Sequence, residues 1–530
     1  MDGREHGSGM DRRRFFGATM VGAAALLARP GSLWGAPSAP GEPGTAGRGE
    51  LPARPVRVRG AVRVAGGRGL RGVAVSDGFE VVVTDDDGLF ELVTTERAAH
   101  VYVSLPAGYR IPLNAEGTAR CYQPIRADAR SEMSVLFELE PDPRGDREHA
   151  FLLLADPQTQ NARDMALFHE ETVPDARATV AGLGDIPVFG IGCGDLMWDD
   201  LSMFPDYERA VRAIGVPFFQ VLGNHDLDLS AKTTETASIA FRDRFGPLHY
   251  SFDRGDVHYC VLNNVFWYGG GYVGYVTDQQ LEWLRRDLAR VEPGRTVIVV
   301  AHIPVGSTMD RRLGGRVPVG FTTQNRDALY RILEPYRAYI LTGHMHEREH
   351  IISGTIHEQV NGAVCGAWWT GPICWDGTPN GYTIFRVRGE EISWRYKSVG
   401  HAPEHQMRVY PRGANPERPD EIVANIWDWD PSWTVVWYED GERKGEMRQE
   451  MGMDPLAVHL QLGPDRPSHR SWVDPRNTDH LFYARVSPDA REVVVEARDR
   501  FGRVYRASPR SLTEHVSAMD AAHPISSRSA

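Results

Sequence analysis

Five short polar motifs, each placed directly after an apolar run, constrain the fold of this 530-residue chain more than any other feature. The apolar runs are continuous rather than alternating, which is typical of parallel strands covered on both faces. The motifs that follow them are Asp156-Pro157-Gln158, Gly194-Asp195, Gly223-Asn224-His225-Asp226, His302-Ile303-Pro304 and Gly343-His344-Met345-His346. Because the carboxyl ends of parallel strands meet at one edge of a sheet, side chains far apart in sequence are expected to converge there.

The side chains expected to converge are those that bind divalent transition metals. They are two aspartates, an asparagine and three histidines: Asp156, Asp195, Asn224, His302, His344 and His346. Carboxylate, amide oxygen and imidazole together suit Zn, Mn or Fe. With a shared carboxylate, such ligands hold two metals about 3.5–4 Å apart, a spacing that clamps the attacking and leaving oxygens of a phosphate ester. The sequence therefore predicts two divalent metal ions of open identity as cofactors.

The order of the motifs resembles that of the calcineurin-like metallophosphoesterases, whose pattern is D-x-H, G-D-x-x-D, G-N-H-D/E, H and G-H-x-H. The resemblance covers residues 150–346. It implies that Asp195 bridges both metals and that Asp156 and His346 complete the first site. It implies that the second site is completed by Asn224, His302 and His344.

The same resemblance implies catalytic roles for two further residues. His225 does not bind metal but stabilises charge or donates a proton to the leaving oxygen, and Asp199 holds its imidazole in orientation. Asp199 lies four residues after Asp195, one more than the usual spacing, so Asp200 is the alternative partner of His225.

One ligand position departs from the family pattern. Gln158 stands where the family usually has histidine. Its amide oxygen could ligate weakly, or the position could be left to water. Either arrangement weakens the first site, so a single-metal enzyme remains open.

The resemblance implies an α/β fold in which a four-layer β-sandwich is flanked by helices, over residues 147–398. Short alternating strands over 54–143 predict an N-terminal β-sandwich that resembles an immunoglobulin-like module. A second β-rich domain is expected over 403–510. Residues 511–530 are small and polar, which predicts a loose tail.

The N-terminus has the composition of an export signal. Arg12-Arg13-Arg14-Phe15-Phe16 precedes an apolar stretch over 17–27 and then small residues, an order that resembles a twin-arginine signal. We expect a signal peptide over 1–39, a linker rich in Pro and Gly over 40–53, and a periplasmic or extracellular location. With a β module on each side of the catalytic domain, the chain resembles an exported bacterial subgroup of the family.

Two segments that join aromatic residues to glycines, 263–276 and 366–382, are expected to form pocket walls. Aromatic faces stack on flat groups of a substrate, and we predict substrate contacts at Tyr268, Trp369 and Asn380. The alternative is that these side chains pack the loops against the domain.

The net charge and the cysteine content limit the kinds of partner and cross-link that the chain is expected to have. The net charge of −12 disfavours a broad nucleic-acid-binding surface, and no apolar run reaches the ~18 residues of a transmembrane helix. Five cysteines are too few for a disulfide scaffold, although a Cys365–Cys374 pair stays open.

These observations predict a metallophosphoesterase that hydrolyses small-molecule phosphate esters with a binuclear metal centre and a metal-bound hydroxide. Whether the ester is a monoester or a diester stays open, as does the oligomeric state. The alternative is a catalytically weak binding or structural protein of the cell envelope on the same fold.

Overall fold

The computed structural model describes residues 55–95, 98–126, 131–315, 317–464 and 466–523. The predicted signal peptide (1–39) and linker (40–53) lie outside the described residues.

The N-terminal β module is built from two small sheets. Its strands are β1 Pro55–Val64, β2 Ala74–Ser76, β3 Val81–Val83, β4 Leu89–Thr95, β5 His100–Val103, β6 Tyr122–Pro124 and β7 Glu132–Leu139. The sheets have the orders β4-β1-β7 and β3-β2-β5-β6. Along β1, buried Val56 and Val58 alternate with exposed Arg57 and Arg59, because successive side chains of a strand point to opposite faces. The predicted β-rich module is confirmed.

Two larger sheets form the centre of the molecule. Their strands, together with the hairpin β13–β14, are β8 Glu148–Leu154, β9 Val188–Cys193, β10 Phe218–Val221, β11 Tyr250–Arg254, β12 Val257–Val261, β13 Val265–Trp267, β14 Tyr272–Gly274, β15 Thr296–Val300, β16 Arg337–Thr342, β17 Glu349–Ser353, β18 Ile356–Val360, β19 Gly381–Arg388 and β20 Glu391–Ser398. One sheet has the order β10-β9-β8-β19-β20 and the other the order β11-β12-β15-β16-β18-β17. Strands β8, β9 and β10 run parallel, as do β12, β15, β16 and β18.

The helices of the central domain connect these strands. They are α1 Ala162–Leu167, a π-helical turn Phe168–Thr172, α2 Val173–Gly182, a 3₁₀ turn Leu201–Met203, α3 Phe204–Ile214, α4 Thr234–Ala237, α5 Ile239–Phe245, α6 Asp278–Leu288, α7 Met309–Leu313 and α8 Arg326–Leu333. Several pack against the sheets: α3 shares a hydrophobic cluster with β8, and α6 shares one with β15. Helix α6 begins where the hydroxyl of Thr277 accepts a hydrogen bond from the Gln280 amide at 3.3 Å.

Aromatic rings from both central sheets meet between them. Phe219 of β10 stacks on Phe252 of β11 at 4.0 Å, and Phe151 of β8 lies edge-on to Tyr259 of β12 at 5.7 Å. The same hydrophobic cluster includes Val58 of β1, so the N-terminal module shares this core. The predicted four-layer α/β fold is confirmed.

The C-terminal module is also β-rich, as predicted. Its elements are β21 Arg408–Tyr410, β22 Glu421–Asn425, β23 Thr434–Glu439, β24 Glu442–Glu446, β25 Arg448–Gln449, β26 Gly452–Met453, α9 Pro455–Leu462, β27 Asn477–Thr478, β28 Leu481–Arg485, β29 Val493–Arg498, β30 Val504–Ala507 and α10 Leu512–Ala522. Two four-stranded sheets have the orders β21-β22-β28-β25 and β24-β23-β29-β30, and β26 pairs with β27.

The prediction of a loose tail over 511–530 is wrong where the structure describes it. Ser511 and Glu514 cap α10 reciprocally: the Glu514 amide donates to the Ser511 hydroxyl at 3.3 Å, and the Ser511 amide donates to the Glu514 carboxylate at 2.7 Å. After the helix, Nδ1 of His523 lies 2.9 Å from the Glu171 carboxylate of the central domain. The capping pair Ser511 and Glu514 is visible in the sequence, but the small and polar composition of the segment favoured the prediction of a loose tail. Residues 524–530 lie outside the described part.

Within the described ranges, no helix combines the length and the apolar character needed to cross a lipid bilayer.

Candidate metal centre

The polar motifs meet at one edge of the central sheets. Asp156, Asp195 and Asn224 follow β8, β9 and β10 of one sheet, and His302 and His344 follow β15 and β16 of the other. Hydrogen bonds join the loops directly. The His344 amide donates to Asp156 Oδ2 at 2.9 Å, and the His225 amide donates to Asp195 Oδ1 at 2.9 Å. The predicted convergence of strand-end side chains is therefore what the structure shows.

Each of the three predicted histidine ligands has one ring nitrogen held by a backbone carbonyl. The pairs are His302 Nδ1 with Cys193 O at 2.9 Å, His344 Nε2 with Gly320 O at 3.0 Å, and His346 Nδ1 with Gly366 O at 2.7 Å. A carbonyl can only accept a hydrogen bond, so the nitrogen facing it carries a proton, and the other ring nitrogen is the one that can bind a metal in the neutral ring.

The remaining ring nitrogens face the carboxylates. Nε2 of His302 lies 3.2 Å from Asp195 Oδ1 and 3.2 Å from Asn224 Oδ1, and Nε2 of His346 lies 3.7 Å from Asp156 Oδ1. Nδ1 of His344 is buried and has no hydrogen-bond partner among the described residues.

Asp195, His302 and His344 each offer a ligand atom, and these atoms lie within 4.8 Å of one another. A buried nitrogen without a partner costs about 1–3 kcal/mol unless something binds it. The donor set and the unpaired nitrogen of His344 therefore fit a divalent metal.

Burial and neighbouring charge set the protonation of these groups. Burial, helped by the charge of Asp195, raises the pKa of Asp156 to about 8. For Asp195 burial acts in the same direction, but the charges of His302 and His225 outweigh it and lower the pKa below its ordinary range. Burial lowers the pKa of His344 and of His346 to about 3, so both rings are neutral at pH 7, as metal ligation requires.

The backbone of the centre is strained. Positive φ angles occur at Asp156 (50°), Gln158 (40°), Asp195 (49°), Asp199 (65°), His344 (70°) and His346 (50°). Such conformations cost about 1–3 kcal/mol each, and they persist where a site requires them. The motif residue Gly223 lies too close to the Asp195 backbone for any side chain, because a Cβ on Gly223 would lie 1.9 Å from the Asp195 amide nitrogen.

His225 pairs with Asp199 and not with Asp200. Nδ1 of His225 lies 2.6 Å from Asp199 Oδ1. Asp200 instead accepts from the amide of Ser202 at 3.1 Å and so caps the following 3₁₀ turn. The side chain of His225 is 22% exposed, whereas Asp195, Asn224 and His302 beside it are buried, so the imidazole stands at the mouth of the centre.

Gln158 lies in the centre beside the shared carboxylate. Its Nε2 donates to Asp195 Oδ2 at 3.2 Å, and its backbone amide donates to the Asp195 carbonyl at 2.8 Å. In this orientation the amide nitrogen faces Asp195, and ligation through the amide oxygen requires the side-chain amide to rotate. The ligand role of Gln158 stays a prediction.

The structure corrects two of the three predicted substrate contacts. Trp369 is only 5% exposed and its indole donates to the Pro157 carbonyl at 3.0 Å, so it supports the β8 loop from within. Asn380 is buried and donates to the Val364 carbonyl at 3.2 Å. Both residues pack loops against the domain, the alternative left open above. Tyr268, 54% exposed in the β13–β14 hairpin, stays a predicted contact.

Two residues that hold the loops were missed by the sequence analysis. The buried carboxylate of Asp226 accepts from the amides of Gly223 at 2.9 Å and Met197 at 3.0 Å, tying the β9 and β10 loops together. Asn264 Oδ1 accepts from the amides of His302 at 3.2 Å and Ile303 at 3.1 Å. Asp226 ends the Gly-Asn-His-Asp motif and so was visible in the sequence, whereas Asn264 carried no motif signal.

The cysteine pair left open is not formed, because Cys365 and Cys374 are both free thiols.

Three sequence models of one family match the chain in order. Residues 56–142 match the N terminal of calcineurin-like phosphoesterase, residues 150–348 match calcineurin-like phosphoesterase itself, and residues 358–505 match its C terminal.

Two kinds of phosphatase are similar in sequence over part of their length. Purple acid phosphatase 15 of Arabidopsis thaliana is 36% identical over 95 residues, which are 16% of this chain and 16% of that protein. Serine/threonine-protein phosphatase CPPED1 of Homo sapiens is 28% identical over 199 residues, 33% of this chain and 62% of that protein. The chain thus spans less than two thirds of the length of either relative.

Among solved structures, the purple acid phosphatase PPD1 of yellow lupin seeds has 15% identity and a TM-score of 0.35, covering 65% of this chain and 67% of that one. GAP50 of Plasmodium has 13% identity and a TM-score of 0.33, covering 47% of this chain and 84% of that one. With three family models matched in order between residues 56 and 505, the chain belongs to the calcineurin-like phosphoesterase family.

Proposed function

We propose that the protein hydrolyses small-molecule phosphate esters with two divalent metal ions held in this centre. The observation that carries the proposal is the orientation of the histidines. One ring nitrogen of each is fixed by a carbonyl, and the second nitrogens of His302 and His346 lie near Asp195 and Asp156. Asp195 would be shared between the two ions. The first ion would be held by Asp156, His346 and the Gln158 position, and the second by Asn224, His302 and His344.

When bound, the metals supply positive charge opposite the phosphate and lower the pKa of water. The chain itself supplies the proton for the leaving group. The Asp199 carboxylate, 2.6 Å from Nδ1, fixes the His225 ring and stabilises its charged form. His225 donates its proton to the leaving oxygen, for which its position at the mouth of the centre is suited.

The first experiment is metal analysis combined with assays of p-nitrophenyl phosphate and bis-p-nitrophenyl phosphate. We expect about two metals per chain. Whichever ester turns over faster decides between a monoesterase and a diesterase. No bound metal after reconstitution with Mn, Zn or Fe would overturn the proposal. Bound metal without turnover of either ester would favour the alternative, a binding protein on the same fold.

Variants of the His225 pair test the proton donor separately from metal binding. We expect His225→Ala to keep its metal and to lower kcat by about 10²–10⁴-fold. Asp199→Ala should lower kcat by about tenfold, since it orients the ring without touching the substrate. Asp200→Ala is the matched control: the carboxylate is adjacent in sequence but caps a turn, so kcat should stay within about twofold of the wild-type value.

We also propose that the protein is exported by a twin-arginine route. The support is the order of basic, apolar and small residues within 1–39. Cell fractionation of the full-length chain and of the Arg12→Lys, Arg13→Lys double variant tests it. We expect the double variant to accumulate in the cytoplasm, and the proposal fails if the wild-type chain stays there too.

A further inference from the structure

Three tryptophans linked by ring contacts lie beside the centre. Trp198 lies edge-on to the His225 ring at 5.9 Å, and Trp368 stacks on the His346 ring at 4.2 Å with 22° between the planes. Trp472 contacts both tryptophans edge-on, Trp198 at 6.2 Å and Trp368 at 4.9 Å. We name Trp198, Trp368 and Trp472 the tryptophan wall.

The outermost member of the wall comes from the C-terminal module. Trp472 lies between α9 and β27, more than a hundred residues after Trp368 in the sequence. It is 37% exposed, which is unusual for a side chain of this size, whereas Trp198 is buried. The C-terminal module therefore completes the rim of a site whose other residues belong to the central domain.

A buried ion pair fixes the segment that carries Trp472. Nη2 of Arg470 lies 2.5 Å from Asp164 Oδ2 in α1, and its Nη1 donates to the Trp368 carbonyl. The guanidinium stacks over the Trp198 ring at 4.6 Å, and Arg470 has a φ of 56°. The wall is thus held in place before a ligand arrives, and a preorganised aromatic surface loses little conformational freedom on binding.

The position of the wall relates it to the leaving group. His225 is the proposed proton donor to the leaving oxygen, so the group attached to that oxygen must lie on the His225 side of the centre. Trp198 borders that side and Trp472 extends it outward. The charge of Arg470 is already compensated by Asp164 and the Trp368 carbonyl, so the exposed part of the wall, which is mainly Trp472, offers an aromatic ring rather than a cation for a second phosphate.

We propose that the tryptophan wall binds a flat aromatic leaving group, so that the preferred substrates are phosphate esters of ring-bearing alcohols. The inference rests on the proposed function, because it assigns the leaving-group side from His225. Stacking of two aromatic rings stabilises a complex by more than the burial of apolar surface alone. Esters of aromatic alcohols should therefore bind more tightly than esters of small alkyl alcohols.

Binding of two phosphonates tests the proposal without turnover. Phenylphosphonate and methylphosphonate carry the same anionic group and are not hydrolysed, and their Kd values for the metal-loaded full chain can be measured by calorimetry. We expect the wild-type protein to bind phenylphosphonate about tenfold more tightly than methylphosphonate.

In Trp472→Ala we expect the Kd of phenylphosphonate to rise about tenfold and that of methylphosphonate to change less than about twofold. Trp472→Phe should keep most of the preference because it retains a ring. Phe501→Ala is the matched control: Phe501 is an exposed aromatic of the same module whose ring contacts are Trp394 and Arg503, away from the centre. Thermal unfolding checks that each variant is folded.

Two results would overturn the inference. One is equal affinity of the wild-type protein for the two phosphonates, and the other is an equal loss for both in Trp472→Ala. Either leaves the proposed function standing, since a phosphonate still binds. If neither phosphonate binds the metal-loaded protein and neither nitrophenyl ester is hydrolysed, the proposed function itself fails, and the inference fails with it.

Discussion

Among the residues that the structure describes, two groups of three potential metal ligands combine histidine with carboxylate, yet their histidines are held differently. In the candidate metal centre the group is Asp195, His302 and His344. The other group is His258 and Cys260 of β12 with Asp287 of α6. In both, the potential ligand atoms lie within 4.8 Å of one another. By the proximity of their potential ligand atoms alone, the two clusters are equivalent.

The difference lies in what the histidine nitrogens contact. Nδ1 of His258 is 2.6 Å from Asp253 Oδ1, and its Nε2 is 2.8 Å from Asp287 Oδ2. Asp287 also accepts from the Ser251 hydroxyl at 2.9 Å and from Arg290 at 2.6 Å. Both nitrogens of this ring are therefore engaged by carboxylates, whereas each ring in the centre keeps one nitrogen on a neutral carbonyl.

The two arrangements favour different protonation states. Burial alone would lower the pKa of His258, but Cys260 and the two aspartates raise it well above its ordinary value. The resulting imidazolium has no lone pair for a metal. In the centre, burial keeps His344 and His346 neutral. Burial would also lower the pKa of His302, but Asp195 and Asp156 raise it to about 9, so a metal bound there displaces a proton from this ring. The centre therefore differs from the ion-pair network of His258 in the carbonyl that holds one nitrogen of each ring, and not in the proximity of ligand types.

The largest effect expected from this comparison is the loss of His302. His302→Ala removes a ligand nitrogen and leaves Asp195 with one fewer positive partner. We expect metal content to fall to about one ion per chain or less and kcat to fall by about 10³-fold or more. Elemental analysis and steady-state kinetics measure both. Full metal content in His302→Ala would show that His302 is not a metal ligand.

Asp287→Asn tests the other cluster. We expect metal content and kcat to be unchanged and the free energy of unfolding to fall by about 3 kcal/mol, because the variant breaks a buried ion pair with His258 and Arg290. Urea denaturation measures the stability change. A loss of bound metal in this variant would show that the cluster binds metal after all.

Gln158→His tests the one ligand position that departs from the family pattern. A histidine replaces an amide whose nitrogen now faces Asp195, and we expect the first metal to bind about tenfold more tightly. Titration against a competing chelator measures this affinity. Unchanged or weaker binding would mean that the Gln158 position does not contribute a ligand.

The smallest effect is expected at His149, a buried histidine whose ring nitrogens contact a carbonyl and a hydroxyl rather than a carboxylate. Burial lowers its pKa to about 4, although its nitrogens contact the Asp146 carbonyl and the Tyr259 hydroxyl, each at 2.7 Å. The unfolded chain therefore takes up a proton near pH 6.5 that the folded protein does not, and stability is lost as pH falls. Relative to His149→Gln, the wild-type protein should lose about 1 kcal/mol between pH 7.5 and 5.5. Parallel pH profiles of the two proteins would contradict the assignment.

Local signals made part of the architecture predictable. The cap at Thr277 and the apolar spacing after it specify α6, and the continuous apolar runs specify the parallel strands whose loops carry the ligands. Helix α10 carried a similar capping signal, but composition outweighed it in the interpretation. Such features depend on residues that are neighbours in the sequence and can be recognised without knowledge of the fold.

The orientation of the aromatic side chains near the centre could not be predicted from such local signals. Trp368 and Trp369 are adjacent and both have positive φ angles, yet Trp368 stacks on His346 while Trp369 turns inward to Pro157. Trp472 reaches the same surface from another module. Which of two neighbouring rings faces the site depends on packing partners that are distant in sequence.

The converging side chains and their order could be predicted from the sequence, because strand–loop alternation is local and parallel strands place their loops at one edge. The use of those side chains depends on contacts that form only in the folded protein. It paired His225 with Asp199 rather than Asp200, and it turned each ligand histidine by means of a backbone carbonyl. The carbonyl that holds His302 belongs to Cys193, 109 residues away, and no local pattern encodes such a contact.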